Sequence, residues 1–211
     1  GSIPRRCGVL YSGQLMAKRA HRKKEESKLV RPATAKTAPK PFTAAMLPGW
    51  KTILQALVIL TAGWWVYAPV LHGDWLMDDA FDIGSNAITR SATGLWKIWL
   101  EPGSQIDYYP IKASVQWLQW HLWGNDTLGY HVTNIGLHLV SALLVWRLLG
   151  KLGLKFAWLG GLIFALHPVM VESVAWIAEL KNTLSLPPFL LAMIAAIDYE
   201  ARGRRSDYWW A

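Results

Sequence analysis

Residues 53–83 read ILQALVILTAGWWVYAPVLHGDWLMDDAFDI. From Ile53 to Leu71 the run is apolar apart from Thr, Gly and Gln55, and four carboxylates follow at once, Asp74, Asp78, Asp79 and Asp82. About 20 helical residues, rising about 1.5 Å each, cover a hydrocarbon core of roughly 30 Å. The run is therefore read as a membrane span, and the acids stand where it meets water. Ionised acids are expensive inside lipid, so carboxylates gathered at such a border either stay solvated or serve a site.

Composition agrees with a membrane protein: 53% of the residues are apolar and 14 are Trp. The net charge of +8 is unevenly spread, because Lys and Arg outnumber acids 12 to 2 over residues 1–51 and are outnumbered 10 to 12 afterwards. A basic arm directly before a first span marks a cytoplasmic N-terminus near anionic lipid, and no nucleic-acid partner is expected. Pro32, Pro39, Pro41 and Pro48 lie in this arm with too little apolar content for a core, so residues 1–50 are expected to be disordered. Cys7 is the single cysteine, which excludes a disulfide framework within the chain and a cysteine-based zinc site.

The rest divides into spans and one long loop. The first span covers about 53–71, and residues 72–129 are too polar and interrupted to cross. Leu95, Trp96, Ile98 and Trp99, then Trp117, Leu118, Trp120, Leu122 and Trp123, recur at three- and four-residue spacing and predict helices lying in the membrane interface. A second span is expected over 131–149, with His131, Asn134 and His138 on one helical face turned into protein. A third covers 156–175, kinked at Pro168, with Glu172, Trp176 and Glu179 on a shared face beyond the kink. The fourth, 183–199, carries Pro187 and Pro188, and Asp207 to Trp210 read as the threshold of a fifth. Lys151, Lys155 and the arginines after Tyr199 suit the cytoplasm, which puts the Asp cluster on the extracytoplasmic face. The fold class is thus an all-α polytopic membrane protein of about four transmembrane helices plus interfacial helices in the first outer loop, the N-terminal part of a larger protein.

Three polar clusters return to that face: Asp78 with Asp79; His131 with Asn134 and His138; and His167, Glu172 and Lys181. Asp78 and Asp79 are either solvated helix-end acids or a pair that divides its labour, one meeting an acceptor and the other a neighbour or metal. His131 and His138 are interhelical hydrogen-bond partners or ligands, and His167 caps a helix or joins the site. Glu172 is free for the site or pairs with Lys181. Arg90, Lys112 and Lys181 hold a phosphate or meet lipid headgroups. Asp79, His167 and Glu172 supply the ligand types of a divalent metal site, but no spacing requires one.

Several blocks in order carry a family resemblance: Trp75 to Ile83 around Asp78-Asp79; Tyr108-Tyr109-Pro110-Ile111; Trp123-Gly124 through Gly129-Tyr130-His131 to Asn134 and His138; and Phe164 to Ser185, with His167-Pro168, Glu172, Trp176 and Lys181-Asn182. Over residues 50–211 the chain resembles the membrane half of the tetratricopeptide-repeat O-mannosyltransferases and their bacterial relatives. The resemblance implies a type C glycosyltransferase fold and a polyprenyl-phosphate-linked sugar as donor. It also implies a protein or peptide acceptor, a setting such as a bacterial inner membrane, and repeats after residue 211. Asp78 or Asp79 would then be the base or orienting acid for an acceptor hydroxyl, with Asp74 and Asp82 as solvated neighbours. His167, Glu172, Lys181, His131 and Tyr109 would lie near the donor or the acid pair. Two other classes stand beside this reading: a non-catalytic membrane scaffold for the repeats, and a transporter.

Overall fold

The computed structural model describes residues 49–104 and 107–202. The expected arm, apart from its last two residues, and the expected threshold at 207–210 lie outside them. Helix α1, Trp50–Tyr67, tightens into a 3-10 segment, Ala68–His72, and the two form one rod of 23 residues. Gly73 is extended and ends it. The loop then makes a π-type turn over Ala80–Gly84 and the short helices α2, Ala87–Arg90, and α3, Gly94–Leu100. Helix α4, Pro110–Trp123, begins on a proline, whose missing N–H costs nothing in a first turn. Helix α5, Thr127–Lys151, is capped by the Asp126 carboxylate, which accepts from the Leu128 N–H at 3.0 Å.

Helix α6, Ala157–Leu166, stops where His167 precedes Pro168. A residue before proline is driven out of helical geometry, and His167 has ψ of 127°. A 3-10 turn, Pro168–Met170, and the short helix α7, Val171–Ala175, continue at 51° to α6. Trp176 is again extended, a further 3-10 turn covers Ile177–Glu179, and α8 runs from Leu180 to Arg202 through Pro187 and Pro188. This second break corrects one expectation. Glu172, Trp176 and Glu179 do not share one helical face, because α7 ends before Trp176. Among the described residues three helices are long and apolar enough to cross a membrane, or four if the bent pair is one span. The chain is an all-α polytopic integral membrane protein.

Helix α5 is the axle, packed against α6 and α8, while α1 lies on α6 and α5. Ile59, Ala142 and Ala165 join α1, α5 and α6, and Leu148, Leu190 and Ile194 join α5 to α8. Asn134 and His138 are buried on α5, as their spacing predicts. The Asn134 amide donates to the Trp176 carbonyl at 3.2 Å, and the His138 Nε2 lies 3.1 Å from the Ala165 carbonyl. Close approach of α6 to α5 depends on Gly161, where an added Cβ would sit 2.8 Å from the Trp146 Cβ and 2.9 Å from the Ala142 carbonyl. Neither obstacle can swing aside. Gly161→Ala is expected to cost about 1–2 kcal/mol of overpacking, read as a lower thermal midpoint in detergent.

The loop helices face the opposite way to those of a soluble domain. On α4 the polar residues Lys112, Gln116 and Gln119 recur at i, i+4 and i+7 and turn inward, Gln116 and Gln119 being buried. Ile111, Leu118, Leu122 and Trp123 are exposed, as are Leu95, Trp96, Trp99 and Leu100 of α3. An apolar outer stripe rich in Trp is the signature of helices lying in a membrane interface.

Candidate functional site

The turn after Gly73 carries the acids, and its geometry separates them. Met77 has φ of 42°, a left-handed conformation that side chains other than glycine adopt at a cost. This turns the chain so that Asp78 is exposed and its neighbour Asp79 is fully buried. The Asp79 carboxylate accepts two backbone N–H groups, from Leu76 at 3.0 Å and from Ala178 at 2.6 Å. Burial pushes its pKa above the ordinary aspartate value, although both hydrogen bonds and nearby His131 pull it back.

The sign of that shift gives a pH dependence. A carboxyl with a raised folded-state pKa binds its proton more tightly folded than unfolded. Stability therefore falls as pH rises from the ordinary value of 3.8 through the raised one. Asp79→Asn has no such titration. The stability of the wild type relative to Asp79→Asn is expected to narrow across that window, as followed by thermal melting at a series of pH values; a gap that widens contradicts the assignment.

Asp78 opens onto a cavity of about 630 Å³ between the acid turn, α4 and the head of α8. On the loop wall stand Asp82, Lys112, Gln116 and Tyr109, and on the span wall Trp176, Ala178, Glu179 and Lys181. Asp82 is not the solvated neighbour expected from its position. Its carboxylate accepts from the Lys112 ammonium at 2.6 Å and from the Gln116 amide at 3.1 Å. Across the cavity Lys181 pairs with Glu179 at 2.9 Å, not with Glu172, and the Asn182 amide donates to the other Glu179 oxygen at 2.5 Å.

The cavity thus brings together Asp78, Tyr109, Lys112 and Lys181 of the residues singled out from sequence. Asp79 and His131 are buried; neither lines the cavity, though Asp79 is bonded to Ala178 in its wall. The His131 ring rests against Gly73, where an added Cβ would lie 3.0 Å from Nε2, and among the described residues neither ring nitrogen makes a well-aligned hydrogen bond. His167 and Glu172 are exposed and do not line the cavity. His167 serves as a cap, its Nδ1 accepting from the Val169 N–H at 3.2 Å. Among the described residues no three His, Cys, Asp or Glu side chains are gathered as a metal site, so Asp79, His167 and Glu172 do not form one.

Sequence reasoning passed over Gln116, Asp107 and Glu179 as site residues, and it left Asp82 aside. The inward i, i+4, i+7 polar stripe of α4 was the available signal for Lys112 and Gln116.

Fold and cavity define an integral membrane protein with a carboxylate-rich chamber at the head of its spans. The chain is 32% identical over 149 residues to Protein O-mannosyl-transferase F38B6.6 of Caenorhabditis elegans, an alignment covering 63% of this chain and 22% of that protein. Protein O-mannosyl-transferase TMTC1 of Mus musculus is 29% identical over 142 residues, covering 61% and 15%, and Protein O-mannosyl-transferase TMTC4 of Mus musculus is 27% identical over 172 residues, covering 70% and 23%. These relatives show the resemblance read from the sequence: the chain is homologous to protein O-mannosyl-transferases over part of its length. It spans about a fifth of the length of these curated relatives. No protein-family model and no solved structure matches it.

Proposed function

We propose that this chain is part of a type C membrane glycosyltransferase that moves a sugar, mannose by analogy with its relatives, from a polyprenyl phosphate to a hydroxyl of a protein acceptor at the extracytoplasmic face. The observation that carries this reading is an exposed carboxylate, Asp78, opening on a chamber at the head of the spans. The relatives, protein O-mannosyl-transferases by name, supply the reaction class.

The Asp78 carboxylate takes the proton of the acceptor hydroxyl as that oxygen bonds to the anomeric carbon. The bond from this carbon to the phosphate oxygen breaks, and its electron pair leaves with the polyprenyl phosphate. The departing phosphate needs a cation. Lys112 is only 13% exposed and held by Asp82, whereas Lys181 is 40% exposed, so Lys181 is the one free to turn from Glu179 toward the leaving group. Lys181→Met is expected to lower transfer about tenfold, less than the loss of a buried oxyanion donor because solvent shares the load.

The test is transfer of labelled mannose from polyprenyl-phosphate mannose to a Ser/Thr peptide by the purified intact protein. Transfer that requires the lipid-linked donor supports the reading. Transfer from a nucleotide sugar instead, or none at all, overturns it.

A further inference from the structure

We infer that Asp79 is a positioning residue, a two-point clamp that fixes the place of Asp78, and not a second catalytic acid; this rests on the transferase reading above. Asp79 is fully buried, so no substrate in the chamber reaches its carboxylate. Each of its oxygens already holds one backbone donor. The first bond, to Leu76 N–H, closes the left-handed turn at Met77 that throws Asp78 outward. The second spans 99 residues to Ala178 N–H, in the segment whose Trp176, Ala178 and Glu179 form the opposite wall. One carboxylate therefore ties the turn bearing the base to the wall bearing Glu179 and, two residues on, Lys181.

Both bonds need an acceptor on each oxygen, which a carboxyl group supplies when ionised and, through the lone pair left on its hydroxyl oxygen, when protonated. An amide at position 79 offers one acceptor oxygen, and its NH2 must face the other N–H, donor against donor. Reacting groups displaced by about 1 Å lose rate by about a hundredfold, so the clamp is expected to act on turnover and not on binding.

In the intact protein, Asp79→Asn is expected to lower kcat about a hundredfold with KM within about threefold of wild type. The discriminating variant is Asp79→Cys with Ala178→Cys, which puts a disulfide in place of the bond to Ala178, gives up the bond to Leu76 and leaves no carboxylate at position 79. Oxidation that cross-links the pair should raise kcat about tenfold over the reduced form, and reduction should abolish the gain. A cross-linked variant no faster than its reduced form overturns the clamp, and so does wild-type turnover by Asp79→Asn. If the wild type transfers no sugar, the transferase reading fails by itself. The clamp is then judged by melting, where the cross-linked pair should match or exceed the wild type and Asp79→Asn should fall below it.

Discussion

Asp78→Asn in the intact protein is expected to lower sugar transfer by about 10²- to 10⁴-fold, the range associated with a positioned general base. Asn matches Asp in shape but cannot take a proton, so binding should change little and the loss should appear in kcat. Fold stability should hardly move, because Asp78 is exposed. Asp74→Asn is the control. Asp74 is exposed too, among the described residues its carboxylate accepts only from the N–H of the next residue, Trp75, at 2.8 Å, and it does not line the chamber. A loss below about threefold in Asp78→Asn, or an equal loss in Asp74→Asn, would sink the assignment of the base.

Gly94→Ala is expected to destabilise the protein by about 3 kcal/mol, the upper end of overpacking costs. Gly94 opens α3 where the chain crosses the end of α2. An added Cβ would lie 1.8 Å from the Ile88 carbonyl oxygen, a backbone atom, and 3.1 Å from the Trp117 ring. The obstacle is not a flexible side chain, so α2 and α3 must separate. That movement pulls on Ser91, whose carbonyl accepts from the Trp117 indole at 2.8 Å and so ties the segment to α4. The outcome is measured by thermal unfolding in detergent and by protease sensitivity of residues 87–100. An unchanged midpoint would show that the loop helices are not held at this crossing.

The spans were legible because length and apolarity alone decide what crosses lipid, and Pro168 announced its break through the geometry it forces on His167. The chamber was less so. Acid type and position pointed to Asp78 and Asp79 alike, but Asp79 is bonded to the backbone of Ala178, and an N–H group leaves no mark in a sequence. His167 and Glu172 matched the chemistry of a site and yet do not line the chamber, whose wall after the second break at Trp176 carries Glu179. Asp82 looked like a solvated neighbour until α4 laid Lys112 and Gln116 over it. Burial of polar residues on a helix whose apolar stripe faces outward reverses the usual assignment of inside and outside.

That reversal has a consequence for where the chamber sits. A helix with Leu118, Leu122 and Trp123 outward and Lys112 and Gln116 inward behaves as a float, held at a fixed height by the lipid surface and gripping Asp82 from above the hydrocarbon. One wall of the chamber rests on a helix built for a lipid surface and the other on the head of α8, so the spacing between them is expected to respond to the thickness of the surrounding lipid.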